Sequence, residues 1–419
     1  MITMSAIHPT LASTPISSAA TAAPATDRRA YRMSSLDLLR GLVIVVMALD
    51  HVRDSFMLGS VQDPTADPNV GPLLFATRWI THFCAPTFVF LAGTSAGLMA
   101  RRRSPSELAT FLLTRGLWLI VLEVLVISTA TSFALTGVEG FGGRIYIHLQ
   151  VIWVIGASMM ILAGAQFLGR HACLAIGAAI VLGHNLLDAI WPAAMTSAST
   201  APLWAALHSR QFYDVGPFAI YFNYSLLPWL GVMFLGYGSA GIFELPAKER
   251  DRLLLRIGVS LVIAFVLLRT LNVYGDPRLW EVHPSRTAAT IMSFLATTKY
   301  PPSLLYLLMT LGPGAILCAF ADRWRGTIKD AFVTLGRAPL AFYVPHFYLI
   351  HLGSILLGVA QGFAAEQFLT PYRFFPKGYG VSLFGVYAIW IALVLILYPF
   401  CRWVAAVKAR RQDWWLSYV

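Results

Sequence analysis

The 419-residue chain is 57% hydrophobic and 12% charged, with a mean hydropathy of +0.67. Soluble domains carry about 25% charged residues, so this composition excludes an ordinary soluble protein. The net charge of +11 comes from positive residues clustered between apolar segments, which is typical of membrane orientation signals and argues against nucleic-acid binding. The alternating pattern of a transmembrane β-barrel is absent from the sequence. We therefore predict an all-α, polytopic membrane bundle, because helices satisfy their own backbone hydrogen bonds in lipid.

Residues 1–31 differ in composition from the rest of the chain. They are rich in Ala, Ser, Thr and Pro and contain no basic start followed by an apolar core, so we predict a disordered cytoplasmic tail and no cleaved signal peptide. Residues 32–419 are predicted to form a single transmembrane domain. The four cysteines have no paired spacing, which predicts neither a disulfide framework nor a metal site.

Ten apolar segments each approach the ~20 residues that a helix needs to cross a bilayer. We place them at about 36–57, 75–100, 108–134, 147–168, 172–191, 217–243, 253–274, 302–321, 332–360 and 380–406. Lys and Arg concentrate in alternate connections, and these fall on one side if both termini are cytoplasmic. The sequence therefore predicts about ten spans, both termini inside, and a multi-pass location in a bacterial inner membrane.

The first span carries ionisable residues at both ends of its apolar run. Arg40 precedes Leu42–Leu49, and Asp50-His51-Val52-Arg53-Asp54 follows it, which places Arg40 and His51 ~16 Å apart on a helix. Charge in hydrocarbon is costly, so such groups usually face a cavity. A histidine beside carboxylates has the parts of a general base. We predict His51 and Asp50 as catalytic residues and Arg40 as a substrate-binding residue; a cluster that only marks the helix end is the alternative.

The second span carries a compact polar patch. Arg78, Trp79 and His82 lie three and four residues apart, a spacing that puts neighbours on one helix face. We predict that these three residues line a substrate pocket and that Arg78 either holds an acidic group or pairs with Asp50 or Asp54. The alternative is an aromatic belt at the membrane interface, where Trp is common.

Two further features lie in later apolar segments. Pro345 is predicted to break the ninth span beside His346, which we prefer over His351 as a substrate-binding residue; a hydrogen-bonded interior histidine fits equally well. Gly93 and Gly97 form a small-residue stripe, which predicts a helix-packing face within one chain or between two.

Several of these stretches resemble a bacterial membrane family grouped with the catalytic domain of heparan-α-glucosaminide N-acetyltransferase. The stretches are Ser35–Asp54, Thr81–Ser95 and Gly336–His351, and Lys299–Leu305 and Trp414–Tyr418 are similar to the same bacterial branch. The ten residues between Arg40 and His51 are also similar in number to the spacing of an Arg–His motif in the acyltransferase-3 superfamily. The resemblance covers most of residues 32–419.

The resemblance implies a membrane acyltransferase that passes an acyl group, often acetyl from acetyl-CoA, to an acceptor on the far side of the membrane. The lysosomal enzyme of the family uses a histidine in the loop between its first two spans. Residues 58–76 of this chain contain no histidine. Either His51 or His82 therefore takes that role, or the chemistry differs.

Three functional hypotheses follow, and the last of them is a non-catalytic membrane scaffold. The first is an integral membrane acyltransferase with acetyl-CoA or another acyl-CoA as donor substrate, no bound cofactor, and a saccharide or other envelope acceptor. The second is a proton-coupled secondary transporter or flippase, because intramembrane Asp, His and Arg also form proton relays. Transporters commonly have paired halves with matching broken helices, and the sequence lacks that pairing. The expected partners are the lipid bilayer, the donor, the acceptor and, if the small-residue stripe packs between two chains instead of within one, a second copy.

Overall fold

The computed structural model describes residues 25–59, 63–189, 201–411 and 413–418. Within these ranges most residues are helical, which confirms the predicted all-α membrane bundle. The helices are α1 (Ala25–Phe56), α2 (Pro72–Thr81), α3 (Cys84–Met99), α4 (Pro105–Val121), α5 (Ser128–Ser132), α6 (Val151–Ala165), α7 (Arg170–Gly183), α8 (Ala201–Leu207), α9 (Leu226–Ser239), α10 (Ala247–Leu271), α11 (Thr287–Leu295), α12 (Leu304–Phe320), α13 (Thr327–Arg337), α14 (Pro339–Ala360) and α15 (Leu383–Arg410).

The membrane-crossing segments in the described ranges correspond to nine of the ten predicted spans. Nine segments in the described ranges are long and apolar enough to cross a membrane: Pro72–Met99, Pro105–Ser132, Val151–Leu168, Arg170–Ala189, Leu226–Glu244, Ala247–Leu271, Leu304–Arg323, Pro339–Ala360 and Leu383–Arg410. Helix α1 has 32 residues, which is long enough to add a tenth.

Helix α1 lies inside the bundle. It packs against α3, α13, α14 and α15, and Ile44, Ala48 and Val52 on it are completely buried. The ionisable residues of α1 from Asp37 to Asp54 therefore face protein and cavities instead of lipid, which is where charge is tolerated in a membrane.

The Gly93/Gly97 stripe is a packing face within the chain. A Cβ atom at Gly93 would meet the backbone of Met233, and one at Gly97 would meet Ala240 and the backbone of Tyr237. The absence of side chains on α3 lets the α9 backbone approach closely, as small residues do at membrane helix interfaces.

The second predicted span is interrupted between α2 and α3. His82 and Phe83 form a turn, and Pro86 lacks the N–H group that would bond to the His82 carbonyl four residues earlier. The Tyr306 hydroxyl donates to that carbonyl instead, at 2.7 Å. The chain therefore satisfies the freed backbone acceptor from α12.

Two predicted spans begin too early, because their first residues are strands. The strands are β1 (Ile145–Leu149), β2 (Gln211–Val215) and β3 (Phe218–Phe222). The order is β1-β3-β2, with β1 parallel and β2 antiparallel to β3. This sheet was not predicted.

The predicted helix break at Pro345 is wrong. Pro345 lies inside α14, which runs without interruption from Pro339 to Ala360. The interruption comes earlier, at Ala338, whose φ of −129° and ψ of 56° are not helical. The residue before a proline is disfavoured in the helical conformation, so Pro339 separates α13 from α14.

Ion pairs join several helix ends at one end of the bundle, which we call the basic end. Arg101 binds Glu244 at 2.6 Å, Arg250 binds Asp322, and Asp37 contacts both Arg40 and Arg337. The positive charges predict that this end is cytoplasmic. Of the predicted tail, residues 1–24 lie outside the described ranges, and α1 begins at Ala25.

Candidate functional site

A narrow polar cavity lies at the end of α1 opposite the basic end. Its volume is about 70 Å³, which holds a few water molecules or one reacting group but not a whole saccharide. The ionisable lining residues come from α1, α2, α3, α14, β1 and five connecting segments: Asp50, His51, Asp54, Asp63, Arg78, Cys84, His148, Arg210, Tyr224, Lys299, Tyr300, Tyr343, His351, Tyr372 and Arg373. The site is assembled from segments that are far apart in the sequence.

His51 is held by a chain of two hydrogen bonds. Its Nδ1 lies 2.7 Å from Nε2 of His346, and Nδ1 of His346 contacts the backbone carbonyl of Tyr343. A carbonyl oxygen only accepts, so Nδ1 of His346 carries the proton and its Nε2 accepts from Nδ1–H of His51. Nε2 of His51 is then the unprotonated nitrogen, and no contact within the described ranges occupies it. A lone pair on the cavity-lining ring is the arrangement that a general base needs.

Packing also fixes the His51 ring. Its centroid lies 4.7 Å from the Phe347 ring and 5.0 Å from the His346 ring, both in stacked geometry. His346 is completely buried and does not line the cavity. The structure therefore places His346 behind His51, outside the cavity lining.

Asp50 is the centre of an ion cluster. Its carboxylate accepts from Arg78 at 2.5 Å, pairs with Arg53 at 2.9 Å, accepts from Thr81 at 3.0 Å and lies 3.9 Å from the Lys299 ammonium. The predicted pairing of Arg78 with Asp50 is confirmed. No hydrogen bond joins Asp50 to His51 among the described contacts, so the partner of His51 is His346 and not the neighbouring carboxylate.

The structure separates the predicted second-span patch. Arg78 lines the cavity, whereas Trp79 and His82 do not. Trp79 donates from Nε1 to Sδ of Met309 at 3.2 Å, and the His82 ring packs edge-on against Tyr306, centroid to centroid 5.3 Å. Helix α2 ends at Thr81, so the helical spacing that predicted Arg78 and His82 on one face does not extend to His82.

Arg40 lines a second, larger cavity at the basic end, of about 620 Å³. Arg40 donates to Asp37, three residues earlier on α1, at 2.9 Å, and to the Ser95 hydroxyl. Three more basic side chains line this cavity: Arg115, Arg337 and Lys408. Phe88, Val151 and Tyr343 line both cavities, so the two approach each other in the middle of the bundle.

Several site residues were not predicted as such. Lys299 and Tyr300 lie in one of the stretches that carry the family resemblance, and Arg210 and Arg373 lie in connecting segments of the chain. The sequence signal that could have identified Lys299 and Arg373 was an adjacent aromatic residue: Tyr300 follows Lys299, and Tyr372 precedes Arg373. Arg210 lies over the Tyr300 ring and Arg373 over the Tyr372 ring, with guanidinium carbon to centroid distances of 4.4 and 5.9 Å.

One family model matches the chain. Residues 32–274 match the model described as heparan-alpha-glucosaminide N-acetyltransferase, catalytic. The matched residues include Arg40, His51 and Arg78 and end before Lys299 and His346. A search of curated proteins found no match.

Proposed function

Because the chain belongs to the family of the heparan-alpha-glucosaminide N-acetyltransferase catalytic domain, we propose that it transfers an acyl group from a CoA thioester to a hydroxyl or amine of an acceptor across the membrane. The observation that carries the proposal is the orientation of His51. Its hydrogen bond to His346 leaves Nε2 unprotonated in a polar cavity at the end opposite the basic end. The proposed acceptor is a saccharide or other envelope molecule, and the proposed location is a bacterial inner membrane.

In the proposed reaction, His51 is the general base. Its Nε2 takes the proton from the acceptor as the acceptor oxygen or nitrogen attacks the thioester carbonyl carbon. The tetrahedral intermediate then collapses, the carbon–sulfur bond breaks, and the CoA thiolate takes the proton from His51. Asp50 remains ionised in this scheme and holds Arg78 and Lys299 at the cavity wall.

The larger cavity supports a donor site at the basic end. Arg40, Arg115, Arg337 and Lys408 surround it, and Arg and Lys form strong charge-assisted hydrogen bonds with phosphates such as those of CoA. Residues shared by the two cavities lie between this site and His51. A thioester entering from the basic end therefore approaches the proposed base through the interior of the bundle.

The test is acyl transfer by the purified protein in lipid nanodiscs. Labelled acetyl-CoA is incubated with a panel of amino sugars and neutral sugars, and labelled products are separated by chromatography. We expect transfer by the native protein and by His171→Gln, because His171 is exposed and lies outside the cavity lining. His51→Gln keeps hydrogen-bonding atoms but cannot take the proton, so we expect no transfer.

Two results would contradict the proposal. One is the absence of both transfer and donor hydrolysis with every acceptor. The other is proton-coupled uptake of a solute into proteoliposomes without any acyl donor, which would favour the transporter hypothesis.

A further inference from the structure

Two arginines in the wall of the His51 cavity share one aromatic ring. Arg210 directly precedes β2, and Arg373 lies in the turn Tyr372–Phe374. Their guanidinium carbons lie 5.6 and 5.3 Å from the centroid of Tyr221 on β3. Tyr221 is buried in the middle strand of the sheet, so the sheet fixes both cations beside the same cavity.

Neither arginine has a carboxylate partner among the described residues, since no Asp or Glu oxygen lies within 4.0 Å of either guanidinium. The three carboxylates of the cavity lining are already bound. Asp50 pairs with Arg53 and Arg78, Asp54 pairs with Arg53, and Asp63 lies 3.8 Å from both Arg78 and Arg278. Within the described part of the chain, no cavity carboxylate therefore neutralises the positive charge of Arg210 and Arg373.

The hydrogen-bonding state of Arg210 points the same way. Its Nε is buried and has no hydrogen-bond partner in the described part of the chain. A buried donor without a partner costs free energy, so such a group in a folded protein requires an explanation. The planar guanidinium donates two parallel hydrogen bonds to carboxylate or phosphate oxygens. An oxyanion between the two arginines would satisfy this donor and reduce the repulsion between the two like charges.

We infer that Arg210 and Arg373 bind an anionic group, a carboxylate or a phosphate, on the acceptor. This inference rests on the proposed function. The anionic group anchors the acceptor at the cavity wall while its hydroxyl or amine reaches Nε2 of His51. The cavity volume of about 70 Å³ is too small for a whole saccharide. The remaining part of the acceptor therefore lies outside the cavity.

The closing experiment measures binding without any acyl donor, so that its result is independent of catalysis. The probes are glucose, glucuronate and glucose 6-phosphate, which differ in the anionic group. The proteins are the native chain, Arg210→Gln, Arg373→Gln and the control Arg144→Gln. Arg144, like Arg210 and Arg373, is neither buried nor fully exposed. It lies outside the cavity lining, 3.6 Å from Asp214. Dissociation constants come from titration calorimetry in nanodiscs, after thermal unfolding has shown that each variant is folded.

We expect the native protein and Arg144→Gln to bind at least one anionic probe about tenfold to a hundredfold more tightly than glucose, the range for charge-assisted hydrogen bonds. Each cavity variant should lose that preference while its affinity for glucose stays unchanged, and Arg373→Lys should retain part of it. The two anionic probes distinguish a carboxylate from a phosphate.

Equal binding of neutral and anionic probes, an unchanged preference in both cavity variants, or no binding of either anionic probe would overturn the inference. A preference for anions in a protein that transfers no acyl group would instead contradict only the proposed function.

Discussion

Nδ1 of His51 lies 2.7 Å from Nε2 of His346, a contact between residues 295 positions apart. The contact determines which His51 nitrogen is free to accept a proton, because His346 is itself oriented by the Tyr343 carbonyl. A carboxylate commonly performs this positioning for a histidine base, but here the carboxylate of Asp50, the preceding residue in the sequence, is occupied by Arg53 and Arg78. In this protein a second histidine, His346, positions the proposed base.

The first prediction concerns His346 as a positioning residue. His346→Ala removes the acceptor for Nδ1–H of His51, so the ring loses its fixed orientation, and we expect kcat to fall about 10²-fold with KM for the acceptor unchanged. His346→Gln offers a side-chain carbonyl to the same N–H and should recover part of the loss. Steady-state kinetics of both variants measures the effect. An equal loss in the Gln and Ala variants would contradict positioning through this hydrogen bond.

The second prediction separates the structural role of Asp50 from a catalytic one. Asp50→Asn leaves the buried guanidinium groups of Arg53 and Arg78 without their shared carboxylate, and we expect a loss of about 3–5 kcal/mol in unfolding free energy. The control is Asp63→Asn, because the Asp63 side chain is 36% exposed and its arginine partners lie at 3.8 Å. That variant should lose less than about 1 kcal/mol.

Denaturant unfolding in detergent micelles measures both Asp variants, and Asp50→Asn combined with Arg78→Met provides a coupling test. The double variant should be more stable than the sum of the single losses predicts, since neither partner is then left unpaired. An Asp50→Asn protein that is as stable as the native one but inactive would favour a direct catalytic role for Asp50.

The local parts of the site were predictable from the sequence. Asp37–Arg40 and Asp50–Arg53 are three residues apart on one helix, so their pairing follows from helix geometry alone. The Arg78–Asp50 pair was predictable because two consecutive spans joined by a short connection are usually neighbours. Nine of the ten predicted spans likewise follow from hydropathy, because the bilayer fixes their length.

The non-local parts were not predictable from a single sequence. Strand β1 pairs with β3, 73 residues further along the chain, and their aromatic and aliphatic residues also suit a membrane helix. The His51–His346 contact depends on how α1 and α14 pack, and no spacing in the sequence encodes it. His82 was assigned to the pocket by helical periodicity, which the turn caused by Pro86 interrupts.

The third prediction tests the donor site at the basic end. Arg337→Gln removes one cation from the larger cavity, and we expect KM for acetyl-CoA to rise about tenfold, the effect of losing one charge-assisted hydrogen bond. S-acetylpantetheine lacks the nucleotide phosphates, so its KM should not change. Arg325→Gln is the matched control, because Arg325 is exposed in the connection before α13 and lies outside this cavity. Equal effects on both donors would contradict phosphate binding by Arg337.

The fourth prediction concerns the α3–α9 interface. Gly93→Ala places a methyl group against the Met233 backbone, which cannot move without shifting α9, and we expect a loss of about 1–3 kcal/mol from overpacking. Gly164→Ala is the control within α6, because a Cβ there meets nothing within 4 Å. It should leave stability unchanged or raise it slightly. Unfolding of the two variants side by side measures the difference, and equal stability would show that the helices separate without cost.

The fifth prediction concerns the pH dependence of Tyr300, which precedes α12 and lies outside the membrane-spanning segments. Burial raises the pKa of Tyr300, but Lys299, Arg78 and Arg210 together outweigh burial and the opposing charge of Asp50, and they lower this pKa from 10.0 to about 8. Difference absorbance at the tyrosinate band should therefore show a titration near pH 8 that is missing from Tyr300→Phe. Titration of every tyrosine at or above pH 10 would contradict this prediction.

The sign of the Tyr300 effect follows from its lowered pKa. The folded state favours the phenolate, so the resulting stability is absent below pH 8, grows as pH rises from about 8 to 10 and is complete above pH 10. The phenolate also partly neutralises Arg210, whose guanidinium carbon lies 4.4 Å from the Tyr300 ring. Glucuronate should consequently bind more weakly as pH rises through 8, whereas in Tyr300→Phe its affinity should stay constant over this interval. Calorimetric titrations at pH 7 and 9 of both proteins measure this difference, and an equal change in both would contradict coupling between Tyr300 and the anion site.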